Sequence, residues 1–217
     1  MENVGALAIL LAFCLAIYAA VGSVAGKIFK KPFLGASGER AVYAVWLLLT
    51  LASGILVYSL FTGDFRMAYV AEHSNQGMKG MYKFTAWWGG QEGSLLLWSW
   101  LLSTYSVVVV FTNRRKLRNM MPYVTGILMV TESFFLMLVT FVASPFQVLM
   151  AGRGITSVGD GQGLSPLLQY WTMMIHPPML YLGYVGCTVP FAFAMASLIT
   201  RQPGDAWIHT TRRWAIV

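Results

Sequence analysis

Apolar residues run along this chain in five long blocks, separated by stretches where charges, glycines and prolines gather. The blocks lie at about Val4 to Val24, Ala41 to Leu60, Gly93 to Phe111, Tyr123 to Val142 and Met179 to Ile199. Each approaches the roughly 20 residues that a helix needs to cross a hydrocarbon layer about 30 Å thick. A sixth would begin at Trp214, where the basic pair Arg212-Arg213 is followed by Ala215-Ile216-Val217. The pattern predicts an all-α, polytopic membrane helix bundle of about five transmembrane helices plus the start of a sixth. The two longest connections, about Phe61 to Glu92 and Ala143 to Pro178, mix glycines with Met67, Tyr69, Val70, Leu167, Leu168, Tyr170 and Trp171, so short interfacial helices are expected in them. No repeat or low-complexity tract divides the chain, and residues 1–217 read as a single transmembrane domain.

Composition agrees: 57% of the 217 residues are hydrophobic and 11% charged, against about a quarter charged in soluble domains. The formal charge of +7 does not form a nucleic-acid face, because the bases fall in short clusters between apolar blocks. Eleven of the fifteen Lys and Arg lie in the segments Lys27 to Arg40, Thr112 to Asn119 and Thr200 to Arg213. By the positive-inside rule these segments are cytoplasmic, and the N-terminus and both long loops face outward, toward the periplasm in a bacterium. Arg66, Lys79, Lys83 and Arg153 fall in those outer loops with Asp64, Glu72 and Asp160. Cys14 and Cys187 sit in apolar blocks and form no CxxC or CxxCH, which argues against a disulfide, a zinc site or covalent haem on this chain. The first block has no basic segment before it and reads as a retained helix.

Candidate chemistry gathers at two places. In "IHPPMLYLGYVG", Pro177 and Pro178 suit the first turn of the fifth helix, which would put His176 in an extended backbone at the helix's outer mouth. A stiff, exposed imidazole there suits axial ligation of haem iron; alone, the residue reads more readily as a helix cap or a hydrogen-bond partner for a loop. In "AWWGGQEGSLLLWSW", Glu92 and Ser94 should occupy the first turn of the third helix, the carboxylate favoured by the helix dipole and Ser94 satisfying free amides. Gly89, Gly90 and Gly93 permit close approach of a flat ligand or another backbone, and Trp87 and Trp88 offer flat faces at interfacial depth. An ordinary aromatic belt is the plainer reading. Trp98 and Trp100 stand about 200° apart on a helix and cannot face one ligand.

Glu132, midway along the fourth block, should face the bundle interior or water and have a partner, as a proton-relay group or a carboxyl bonded across a helix pair. His73 is a second candidate ligand and more readily a polar loop residue; His209 takes no role. Neither long loop pairs a nucleophile with a base or spaces His and Cys for zinc.

"WWGGQEGSLLLW" together with "IHPPMLYLGYVG" and the following "VPFAFAMASL", and also "YVAEHSN" in the first outer loop, closely resemble the CcmF-type haem lyase subunit of cytochrome c maturation, with NrfE- and CcsA-type relatives. The resemblance runs over the whole chain. It implies a cytochrome c biogenesis function in which haem b is held at the outer membrane face for thioether attachment to apocytochrome c. His176 would then be an axial iron ligand, with Trp87, Trp88, Gly89, Gly90, Glu92, Gly93, Ser94, Trp98, Pro177 and Pro178 around the cofactor. Implied partners are a haem chaperone, apocytochrome c, thiol-reducing or apocytochrome-presenting membrane subunits, the remaining C-terminal part of the lyase and the lipid bilayer, and no nucleic acid. The implied location is the bacterial or mitochondrial inner membrane, with the chain as the N-terminal portion of a larger unit. The family's second tryptophan-rich segment and further histidines have no counterpart here. A proton-coupled transporter built on Glu132, or a scaffold that docks chaperone and apocytochrome without ligating haem, would share many of these features.

Overall fold

The computed structural model describes residues 1–114, 117–149, 159–201, 206–212 and 214. Arg115, Lys116, Arg153, Arg213 and Ala215 to Val217 therefore lie outside the described residues, as does the continuation of a sixth helix. The chain forms α1 (Glu2–Ile28), α2 (Pro32–Thr62), α3 (Ala68–His73), α4 (Gly80–Thr85), α5 (Gln91–Asn113), α6 (Met121–Met137), α7 (Trp171–Gly186), α8 (Thr188–Thr200) and α9 (Ala206–Thr211). Short 3₁₀ turns at Ala86–Trp88 and Pro166–Gln169 precede α5 and α7, and a π-helical turn, Leu138–Val142, extends α6. Among the described residues there is no strand; the only β pairing is an isolated bridge between Met67 and Val148.

Among the described residues, five helical segments are long and apolar enough to cross a membrane: Glu2–Ile28, Pro32–Thr62, Gln91–Asn113, Met121–Val142 and Trp171–Thr200. The last combines α7 and α8, which meet at Cys187. Each helix keeps its larger side chains partly toward the outside, as a bilayer solvent allows, and buries a narrower seam. Small residues bring α1 and α2 together most closely. A side chain on Gly38 would strike the Ser23 backbone and hydroxyl, and one on Gly26 would strike Gly35. Trp46 and Trp100 tie α2 to α5 by donating their indole N–H groups to Thr104 Oγ1 at 3.1 Å and Thr50 Oγ1 at 3.0 Å.

The two long connections interlace at one end of the bundle. The Ala68 amide donates to the Gln147 carbonyl at 2.9 Å, Leu149 to Arg66 at 2.9 Å, and Gln162 to Ala71 at 2.7 Å. Asp160 accepts from the amides of Gln76 and Gly161, both at 2.8 Å. The Phe146 ring packs where a side chain on Gly5 would sit, so the start of α1 belongs to the same end. At the other end, Lys27 donates to Asn119 Oδ1 at 2.9 Å, joining the α1–α2 turn to the connection between α5 and α6.

One boundary differs from the sequence expectation in a way that matters. Helix α7 starts at Trp171, not near Met179, so His176, Pro177 and Pro178 are inside it, in its second turn. His176 is helical, not extended. The prolines remove two N–H groups that would have bonded the Met173 and Met174 carbonyls, a loss confined to the first two turns. Apolar Trp171, Met173 and Ile175 extend the helix backward past the proline pair.

Candidate functional site

The tryptophan and glycine segment folds as a 3₁₀ turn, Ala86–Trp88, followed by an extended Gly90 (φ −128°, ψ 173°) from which α5 begins. Tyr69 of α3 clasps it. The Tyr69 hydroxyl lies 2.7 Å from the Ala86 carbonyl and 3.0 Å from that of Trp87, and accepts the Gly90 amide at 3.1 Å. One phenol thus serves the Trp87 carbonyl and the Gly90 amide, which the abrupt turn leaves without helical partners, beside the Ala86 carbonyl, which also accepts the Gly89 amide at 3.1 Å. Tyr69 is 3% exposed, and burial pushes its phenol well above the usual tyrosine range, so the proton it donates stays in place.

His73 completes the clasp. Its ring stacks on Tyr69 with centroids 4.3 Å apart and planes 21° apart, and its Nδ1 stands 3.0 Å from the Tyr69 carbonyl. Since a carbonyl only accepts, Nδ1 carries the proton. A side chain on Gly90 would meet His73 Nε2 and the Tyr69 ring; one on Gly93 would meet the Trp87 carbonyl and the Tyr69 hydroxyl; one on Gly89 would meet Leu164. The three glycines do permit close approach, and what approaches is the protein itself. Either a flat ligand or another backbone is the expected neighbour; the space beside these Cα atoms is taken by Tyr69, His73, Leu164 and backbone.

The expected cap also differs: Ser94 donates its hydroxyl to the Trp88 carbonyl at 3.1 Å and makes no side-chain cap to an amide. Ser94 turns back because that carbonyl, freed by the 3₁₀ turn, is within reach. Glu92, half-buried, occupies the first turn of α5 as its sequence position predicts.

The tryptophans divide into groups. Trp87, buried, packs with Phe84 at 6.1 Å and Trp100 at 5.9 Å, toward α2. Trp88 is half-buried, with Phe84 edge-on at 5.3 Å. Trp98 faces the opposite way, toward Phe135 of α6 at 5.6 Å and Tyr181 of α7 at 5.2 Å. Trp98 and Trp100 therefore serve different helix faces, as their spacing requires. The indole N–H groups of Trp87, Trp88 and Trp98 are buried with no hydrogen-bond partner among the described residues.

Tyr181 also places its hydroxyl 3.5 Å from Ser94 Oγ, while Tyr105 donates to the Leu182 carbonyl at 3.2 Å. Ser94 and Trp98 meet Tyr181, while Tyr105, further along α5, meets Leu182 and Gly186 further along α7, so the two helices run in parallel. His176, five residues before Tyr181, lies about 7.5 Å back along the axis, toward the end where α5 begins. It is exposed, about 140° around the helix from Tyr181, on a stripe with Met173, Met179, Leu180 and Tyr184. His176 and the tryptophan segment share an end of the bundle, but the helix face that touches Trp98 is not the one that carries the imidazole.

Glu132 is fully buried, in the bundle interior as expected, yet neither carboxyl oxygen has a hydrogen-bond partner among the described residues. Sequence reading gave Tyr69 and Tyr181 no role. The i, i+4 pair Tyr69 and His73 in "AYVAEH" was the available signal for the first.

Comparison with known proteins places the sequence and the helical fold. The model of the cytochrome c assembly protein family matches residues 88–215, more than half of the chain. The chain is 35% identical over 217 residues to the cytochrome c-type biogenesis protein CcmF of Pseudomonas fluorescens, covering all of this chain and 32% of that protein. It is 33% identical over 217 residues to the cytochrome c-type biogenesis protein NrfE of Haemophilus influenzae, covering all of this chain and 33% of that one. A solved structure of the cytochrome c haem lyase CcmF superposes with a TM-score of 0.81 at 24% identity, over 98% of this chain and 33% of its own. The chain spans about a third of the length of these relatives. On the strength of the family match, together with five membrane-length helices in the same arrangement, the chain belongs to the cytochrome c assembly protein family.

Proposed function

We propose that this chain is the haem-holding part of a cytochrome c haem lyase, presenting haem b at the outer membrane face for thioether attachment to apocytochrome c. The observation that carries the reading is His176: an exposed imidazole at the bundle end where α5 begins, on a helix fixed to α5 through Tyr181, Ser94 and Trp98. The curated relatives are named for cytochrome c-type biogenesis, which supports the same reading.

The residues fit haem unequally. Exposed His176 is a suitable nitrogen donor to iron. Gly89, Gly90 and Gly93 have their open sides filled by protein, so the porphyrin lies outside that turn. Half-buried Trp88 and Glu92 remain accessible for its edge. Haem, the substrate, supplies vinyl groups to receive the thiols and an iron whose reduction favours the reaction. His176 sets the height of the ring above the bilayer, and α7 holds that height because Trp98 and Tyr181 lock it to α5. Tyr69 and His73 keep the start of α5 rigid. Orientation does most of the catalytic work, since the chain has only to hold two reacting groups near each other.

The inner membrane is the proposed location, with the interlaced long loops outside. The partners are a haem chaperone, apocytochrome c, the membrane subunits that reduce or present it, and the remainder of the lyase. Residues 1–217 act as one transmembrane domain within that unit. The test is maturation of c-type cytochromes in cells whose lyase carries His176→Ala. Haem-stained cytochrome c should fall at least tenfold with the lyase still in the membrane, and unchanged maturation would refute the assignment.

A further inference from the structure

Away from this site, α1, α6 and α8 enclose an open groove of about 760 Å³. Its walls are almost wholly apolar and include Val21, Ala25 and Ile28 of α1, Ile127 and Val130 of α6, and Met195 of α8. From Tyr123 to Thr131 the groove follows α6 over eight helical steps, about 12 Å at the rise of a helix. That is close to one leaflet's share, about 15 Å, of the hydrocarbon layer.

One end of the groove is basic. Its last lining residues, Ile28, Phe29, Tyr123 and Ile199, stand where α1 ends, α6 begins and α8 ends. Lys30 and Lys31 follow α1, Arg118 precedes α6 and Arg201 follows α8, and all four are exposed. The two ion pairs among the described residues, Met1 with Glu2 and Arg66 with Asp64, are at the opposite end of the bundle. Lys27, beside the groove, is held by Asn119. Of the described acids Glu39 lies nearest in sequence, on α2 and in the field of Arg114; Asp205, four residues after Arg201, is outside the described residues. An apolar slot one leaflet deep, with cations at its mouth that have no ion-pair partner among the described residues, matches a molecule that has a hydrocarbon tail and an anionic head.

We propose that this groove binds an anionic phospholipid, one acyl chain lying between α1, α6 and α8 and the phosphate resting among Lys30, Lys31, Arg118 and Arg201. Attraction to four cations selects the headgroup, and burial of the chain against three helices separates this lipid from the general boundary layer. The site is independent of haem handling at the other end.

The test uses the full chain purified in nanodiscs of equal phosphatidylglycerol and phosphatidylcholine, with retained lipid counted by native mass spectrometry after release. The wild type should retain phosphatidylglycerol about tenfold over phosphatidylcholine. Val130→Trp and Val21→Trp fill the groove from positions that are each 63% exposed and should fold normally; both should lose the retained lipid. Phe134→Trp, exposed but outside the groove, should keep it. Lys30→Gln with Lys31→Gln should remove the headgroup preference. Equal retention of the two lipids by wild type would overturn the proposal, as would preference surviving both groove-filling variants, or release of the wild type as a dimer sealed across this face.

Discussion

The phenol of Tyr69 and the backbone of Gly90 hold each other in place: the Gly90 amide donates to the hydroxyl at 3.1 Å, and only hydrogen at Gly90 Cα leaves room for the Tyr69 and His73 rings. This contact joins the first long connection to the start of α5 and shapes the end of the bundle that also carries His176. Tyr69→Phe keeps the ring and removes the hydroxyl, leaving the Trp87 carbonyl and the Gly90 amide without their partner, while the Ala86 carbonyl keeps the Gly89 amide at 3.1 Å. We expect a loss of about 1–3 kcal/mol, read by thermal unfolding in detergent.

The glycines should divide by what surrounds them. Gly93→Ala drives a methyl into the Trp87 carbonyl and Tyr69 hydroxyl and should cost about 1–3 kcal/mol. Gly54 and Gly183 are helical with no atom near the added carbon, so Gly54→Ala and Gly183→Ala should stabilise by about 0.5–1 kcal/mol. Equal effects at Gly93 and Gly54, in the same unfolding assay, would contradict the packing described at Gly93.

Glu132 is a buried polar group with no partner among the described residues. Replacing it with Met, similar in length and apolar, should raise stability by about 1–3 kcal/mol. A drop in midpoint on Glu132→Met would show that the carboxyl is bonded in the membrane.

At the loop surface, the Arg66 guanidinium donates to Asp64 through Nε at 2.7 Å and a second nitrogen at 2.8 Å, and this bonding holds the Asp64 carboxyl below the usual carboxylate range. A lowered folded value means the link contributes above the unfolded pKa of about 3.9. Its contribution is lost as pH falls through the lower folded value. Carbon-detected NMR of the side-chain carboxyl should show Asp64 titrating below 3.9, and Arg66→Gln should bring it back up.

The five crossings were legible because each is a long apolar block, and a bilayer leaves a backbone few other options. The start of α7 was not, since a proline pair marks a first turn only when nothing upstream favours helix; here Trp171 to Ile175 provide one more turn. Glycine spacing in "WWGGQEG" signalled close approach correctly. The approaching groups, Tyr69 and His73, lie about twenty residues away in sequence, and no local pattern specifies that a phenol from another segment will close the turn. Trp98 and Trp100 were separable by helical angle alone, because angle depends only on spacing.

The account rests most heavily on His176 as an iron ligand, and ligand replacement tests it directly. In membranes carrying the assembled lyase, His176→Gly should change the visible and resonance Raman signature of bound haem, and added imidazole should restore the histidine-ligated spectrum and part of the cytochrome yield. A His176→Gly lyase whose haem spectrum matches wild type with no imidazole present would contradict the account.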